Sequence, residues 1–114
     1  PSAEHLPQTI PVFVEILRRR HKQVPILVIS RIPTAGEYGS PASLAKRLGP
    51  MVAQKEAVEA LQQSGDPAIR FLDGSLLMGE DHDECTVDGS HPTDLGFSRM
   101  AEGILPIVQQ MLGD

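Results

Sequence analysis

Apolar residues recur at helical spacing near the start of the chain, at Leu6, Ile10, Phe13, Val14 and Leu17, with Glu15 and Arg18 to Arg20 between them on the wet side. Ser2 can cap such a helix. Pro7 and Pro11 each remove a backbone donor, so the pattern predicts an irregular first turn and a regular helix from about Pro11 onward. "QVPILVISRIP" then carries an unbroken β-branched run, Ile26 to Ile29, without polar alternation, as in a strand covered on both faces and paired in a parallel sheet. "TAGEYGSPAS" reads as a loop leaving the carboxyl end of that strand, where α/β folds usually build their sites.

A second helix is expected from about Ser43 to Gln63, turning Leu44, Leu48, Met51, Val52, Val58 and Leu61 inward, with Gly49-Pro50 as a possible bend. "AIRFL", residues 68 to 72, forms a second short strand. "DGSLLMGEDHDECTVDGSHP" follows as a long surface-type loop, long enough to attract a functional reading. Thr93 to Leu112 closes the chain as a helix with Leu95, Met100, Ile104, Val108 and Leu112 inward and Pro106 at a kink. The order is helix, strand, helix, strand, helix, and the strands with their connecting helix make one βαβ crossover. Three apolar helix faces need more sheet than two strands supply, since a sheet usually has about five. The 114 residues, which start at Pro1 without a methionine, are therefore expected to be the C-terminal part of a larger α/β domain.

Composition narrows the classes. Hydrophobic residues make up 40% of the chain, and 15 acids against 10 bases give a net charge of -5, so a folded acidic domain is expected and nucleic acid is not an expected partner. The compact basic cluster, Arg18 to Lys22, reads as the solvated end of the first helix, and His5 and His21 as surface residues of the same helix. One cysteine, Cys85, excludes an internal disulfide framework and reads as a small buried residue. No apolar run approaches the ~20 residues that cross a bilayer, so no membrane span is expected.

The candidate chemistry lies in "TVDGSHPTD". Asp88 and His91 flank the turn pair Gly89-Ser90, so both side chains can point to one side and meet. A carboxylate on one ring nitrogen fixes the tautomer and frees the other nitrogen as a base. Pro92 keeps His91 extended and outside the helix, Thr93 is a good N-cap, and Asp94 suits the positive helix end. That helix pole disfavours an imidazolium at His91 whereas Asp88 favours it, a balance that suits a base working near neutral pH. From spacing alone, Asp88-x-x-His91 is equally an ordinary Asx-turn leading into a helix, and the chain a non-catalytic α/β or interaction piece. Glu80 to Cys85, with Asp88 and His91, can also be drawn as a metal-dependent hydrolase site, although crowded acids more often form a solvated loop. The glycines Gly36, Gly39 and Gly74 form no phosphate-cradling pattern. Arg31 and Tyr38, in the loop after the first strand, are candidates to border a substrate cleft.

"TVDGSHPTDLGFSRMAEGILPIV" resembles the closing block of the SGNH (GDSL-type) hydrolases, in which Asp-x-x-His-Pro precedes a polar step, a glycine and the C-terminal helix. "IRFLDGSLLMG" and "QTIPVFVEILRRRHKQVPILVIS" resemble earlier strand, loop and helix segments of one branch of these esterases. The resemblance implies a flavodoxin-like three-layer α/β/α sandwich with a parallel sheet, hydrolysing small-molecule or carbohydrate esters through a Ser, His, Asp arrangement, with no metal and no cofactor. Carried over by position, His91 is the general base and Asp88 its orienting acid. The family's nucleophile, in a Gly-Asp-Ser context, and its oxyanion-holding glycine and asparagine belong to earlier blocks, none of which stands in these residues. Ser75, in the reversed order Asp-Gly-Ser, reads as a turn residue, and Ser90 is wedged between the acid and the base. The N-terminal part of the same domain is thus the expected partner that completes the site.

Overall fold

In the computed structural model, which describes residues 2–113, the elements follow the expected order: helix α1 (Leu6–Arg20), strand β1 (Ile26–Ile29), helix α2 (Pro41–Gln63), strand β2 (Ile69–Leu72) and helix α3 (Asp94–Leu112), with short 3-10 turns at Ala35–Gly39, Gly74–Leu76 and His82–Cys85. The chain forms two compact units. The first holds the residues up to Ser30 together with Leu48–Leu72, and the second holds Arg31–Arg47 and the residues from Asp73 on.

In the first unit, β1 and β2 pair in parallel, Ile26 beside Ile69 and Ile29 beside Leu72. Alternate residues share a face, so Ile26, Val28, Ile69 and Phe71 lie together, and they join Val14 of α1 and Val58 of α2 in one apolar cluster. Val58 and Ile69 are almost completely buried, and each such side chain contributes about 1.5–3 kcal/mol. Pro7 occupies the first turn of α1, where a missing N–H costs nothing, and α1 already starts at Leu6, five residues before the regular helix that its prolines suggested. The N-terminus is tied down by the Ser2 carbonyl, which accepts from His5 and Leu6. Within these residues Phe13 is 62% and Val52 46% exposed. Within the described residues β1 has β2 beside it, and all four residues of β1 are half-buried.

The basic cluster is not solvated throughout. Arg19 to Lys22 are exposed, but Arg18 is held by Asp66 in a two-pronged pair, Nε to Oδ2 at 2.8 Å and Nη2 to Oδ1 at 3.1 Å. Arg18 also donates to the carbonyls of His21, Val24 and Ala68. It thus binds the end of α1 to both segments that lead into the strands. The Arg18 hydrogen bonds hold the Asp66 carboxyl below its ordinary value. Arg18→Ala leaves that mostly buried carboxylate unpaired and is expected to cost about 3 kcal/mol, read as a lowered urea midpoint with an unchanged slope.

In the second unit the long loop is no surface strap. Leu77, Met78 and Cys85 are its buried core, Met78 and Cys85 fully so. Helix α3 approaches them through glycines: a Cβ on Gly103 would stand 2.5 Å from Leu77 Cδ2, and one on Gly96 only 2.3 Å from the Cys85 carbonyl oxygen. Leu95 and Leu112, expected inward, are 46% and 61% exposed, because the glycine-bearing face of α3 is the one that meets the loop. Arg99 ties α3 to the same loop, its Nη1 donating to the Met78 carbonyl at 2.6 Å and to Asp81 Oδ1 at 2.7 Å. Thr93 caps α3 as expected, Oγ1 accepting from Gly96 N–H at 3.2 Å, and Gly113 ends it with φ of 82°.

Candidate active site

The turn carrying the candidate pair is clasped at its base. Thr86 and Pro92 form an antiparallel bridge, Val87 N–H donates to the His91 carbonyl at 2.8 Å, and Thr93 N–H donates to the Cys85 carbonyl at 2.8 Å. Inside the clasp Gly89 takes φ of 85°, a conformation that favours glycine. The turn then brings Asp88 and His91 together. Asp88 Oδ1 accepts from the backbone N–H groups of Ser90 at 3.0 Å and His91 at 2.8 Å, while Oδ2 meets His91 Nδ1 at 2.6 Å. One carboxylate therefore holds both the loop backbone and the imidazole ring.

In a neutral imidazole, a carboxylate at Nδ1 favours the ring proton there and leaves the lone pair on Nε2. Asp88 holds the ring through Nδ1, and the His91 side chain is 80% exposed, so Nε2 is open to a reactant. The Asx-turn and the Asp88–His91 ring contact are thus one structure.

The His91 backbone N–H, the His91 ring and the Ser90 N–H, in that order, depress the Asp88 carboxyl to about 2. Because the folded value lies below the ordinary one of 3.8, this contribution to the turn is present above about pH 4 and is lost as pH falls toward 2. Amide shifts of Ser90 and His91 followed between pH 1.5 and 5 are expected to move together with a midpoint near 2. A midpoint at the ordinary carboxyl value would contradict the threefold anchoring.

The loop after β1 lies against this turn. Ala35 N–H donates to the Gly89 carbonyl at 2.9 Å, and a Cβ on Gly89 would stand 3.2 Å from the Ala35 Cβ. That loop is held by Glu37, whose Oε2 accepts from Thr34 N–H at 2.6 Å and whose Oε1 meets Arg47 Nε at 2.7 Å in a nearly buried pair. Burial raises the Glu37 carboxyl, but the Thr34 and Arg47 contacts outweigh it and leave the group below its ordinary value. Tyr38 follows directly, 60% exposed; Arg31, earlier in the loop, is exposed. Grooves of about 390 and 410 Å3 are lined, respectively, by residues of α1 and α2 with Ser64 and by residues of α3. Neither includes Arg31, Tyr38, Asp88 or His91.

The drawn metal set does not converge. Asp81 pairs with Arg99, Asp83 Oδ1 lies 3.1 Å from the Tyr38 hydroxyl, His82 stacks on the Tyr38 ring, and Cys85 is buried with Sγ 3.7 Å from the Met78 carbonyl. Among the described residues no three His, Cys, Asp or Glu side chains gather as a ligand set. Ser75 behaves as the turn residue it was read to be, its N–H and hydroxyl both donating to Asp73 Oδ1. Arg99 and the Ala35–Gly89 contact were not legible beforehand: a lone arginine on a helix carries no signal of a partner in the acidic loop before it.

A family model described as the GDSL-like Lipase/Acylhydrolase family matches residues 1–109. The chain belongs to that family. Among solved structures, a candidate GDSL-like lipase from Bacteroides ovatus ATCC 8483 is 31% identical with a TM-score of 0.89, the match covering 99% of this chain and 33% of that one. A salicylyl-acyltransferase from a tetracycline biosynthetic pathway is 22% identical with a TM-score of 0.76, covering 97% and 32% of the two chains, and shows the shared fold. The α/β fold implied by the closing block is therefore that of the family. A comparison with curated proteins gave no match. This chain spans about a third of the length of the solved structures it matches, and among its described residues no helix is long and apolar enough to cross a membrane.

Proposed function

We propose that these residues carry the base and its orienting acid for a serine ester hydrolase. The observation that carries the reading is the 2.6 Å contact of Asp88 Oδ2 with His91 Nδ1, which leaves Nε2 exposed. His91 Nε2 takes the proton of a serine hydroxyl as its oxygen attacks the ester carbonyl, then returns that proton to the departing alcohol. Water repeats the sequence on the acyl-enzyme and releases the acid. Asp88 stays ionised throughout, compensating the imidazolium each time it forms.

The serine is supplied by another segment of the same domain, for which the chain's length, a third of its structural neighbours, gives support. Residues 1–114 are then the C-terminal portion of one domain. The substrate is a small-molecule or carbohydrate ester, and Arg31 and Tyr38 border its cleft, since their loop touches the turn of His91. Fluorophosphonate labelling of the full-length protein tests this. One modified serine is expected, outside these residues; labelling at Ser75 or Ser90, or specific saturable p-nitrophenyl acetate hydrolysis by the 114-residue chain alone, would refute the assignment.

A further inference from the structure

Tyr38 is the chain's one tyrosine, and no tryptophan accompanies it. It is held in a way that a chance surface ring is not. Its hydroxyl donates to the Glu80 carbonyl at 2.8 Å and lies 3.1 Å from Asp83 Oδ1. One ring face lies flat on His82, with centroids 4.5 Å apart and planes 5° from parallel. The residue is nevertheless 60% exposed. A ring fixed at its hydroxyl and backed on one face leaves its other face to solvent.

The backing is itself anchored. His82 opens the 3-10 turn that ends at buried Cys85, and Asp81 before it is paired with Arg99 of α3. Tyr38 sits in the 3-10 turn that begins at Ala35, whose N–H binds the Gly89 carbonyl between Asp88 and His91. Three residues of such a turn rise only ~6 Å. The platform and the base are thus borne by two turns in direct contact.

We infer that Tyr38, backed by His82, is the specificity-determining platform of this site, taking the flat apolar face of a ring in the substrate, as a pyranose or an arene presents. This rests on the hydrolase reading above for its reaction, but the binding it describes does not. A preorganised aromatic face binds a ring without first losing side-chain freedom, and stacked pairs contribute beyond the area they bury. An acyclic ester has no flat face to offer and gains little from it. Tyr38 therefore acts on choice of substrate rather than on the proton transfers at His91.

The test compares full-length protein with its Tyr38→Phe, Tyr38→Leu and Tyr38→Ala variants on an acetylated methyl pyranoside, phenyl acetate and ethyl acetate. Intrinsic ester reactivity cancels, because each variant is set against the parent on the same ester. Leu and Ala are expected to lower kcat/KM for a ring-bearing ester about tenfold more than for ethyl acetate, through KM. Phe, which keeps the stacking face, retains most of the preference. The ring whose advantage disappears identifies the pyranose or the arene as the ligand, and equal losses on all three esters overturn the platform.

A second measurement is independent of turnover: saturation-transfer NMR of methyl pyranoside and phenol on the His91→Ala protein. Contact to one ring ligand that vanishes with Tyr38→Leu supports the platform, and contact that survives the substitution, or none at all with either ligand, overturns it. Tyr38-dependent contact, together with no ester turnover by the unsubstituted full-length protein, would remove the hydrolase reading and leave the platform standing.

Discussion

Replacing His91 by alanine in the full-length protein is expected to lower kcat for ester hydrolysis by at least ~10³-fold, with KM little changed. The reasoning is that His91 Nε2 is the one atom of the Asp88–His91 pair that can accept a serine proton, Nδ1 being engaged by Asp88 at 2.6 Å. Loss of a base removes an interaction made only in the transition state, so the effect falls on kcat. Fluorophosphonate labelling of the variant is expected to slow in proportion, and equal labelling of variant and parent would end the assignment.

Asp88→Asn probes the same pair more finely. An asparagine oxygen can still accept from the Ser90 and His91 N–H groups, as Oδ1 does now. Its amide then faces His91 Nδ1 as a donor, which favours the opposite tautomer and puts the proton on Nε2. The expected loss is ~10³–10⁴-fold in kcat with the turn intact. Asp88→Ala would lose the turn's anchor as well, so comparing the two variants separates orientation of the ring from orientation of the backbone.

The largest effect on stability is expected at Gly96. On propensity alone, alanine in a helix gains about 0.5–1 kcal/mol over glycine. Here the added Cβ would lie 2.3 Å from the Cys85 carbonyl oxygen and 3.1 Å from Pro92 Cβ. That carbonyl is not free to move, since it accepts the Thr93 N–H that helps to close the clasp around Asp88 and His91. Gly96→Ala is therefore expected to destabilise by about 2–4 kcal/mol, as overpacking against backbone does. Gly103→Ala makes a useful contrast. Its Cβ would meet Leu77 Cδ2, the far end of a side chain that can turn aside, so a cost of about 1 kcal/mol or less is expected. Chemical denaturation of both variants decides whether the glycines of α3 are contact residues or tolerated weak points; equal midpoints would contradict the close approach at Cys85.

Activity should follow the same order. Gly96→Ala displaces the strand-like clasp at Thr86 and Pro92, so it lowers kcat even where the protein remains folded. Gly103, which meets Leu77 earlier in the loop, should leave the Asp88–His91 contact in place.

What could be read from residue order was what local chemistry decides. The helical spacing of Leu6, Ile10 and Val14, the β-branched run of Ile26 to Ile29 and the Thr93 cap of α3 depend on neighbours a few positions away, and every element except the start of α1 appears close to its expected bounds. Asp88, Gly89, His91 and Pro92 likewise make their turn within six residues, so the meeting of the Asp88 and His91 side chains was legible in residue order. Burial was less so. Periodicity marks an apolar face but not what lies opposite, and Phe13, Leu95 and Leu112 remain exposed where a partner surface was assumed.

Tertiary structure alone decided the pairings across long sequence separations. Arg18 with Asp66, Tyr38 with His82 and Asp83, and Ala35 with Gly89 join residues whose closeness follows from the path of the chain, and no spacing rule reaches that far. The same limit hid the core within the loop: "SLLMGEDHDEC" reads as part of a long surface-type loop until α3 brings a glycine against Cys85 and Arg99 against Met78. Local sequence sets which conformations a segment prefers. Packing selects which groups it must satisfy, because a buried carbonyl or carboxylate needs a partner wherever the chain can supply one.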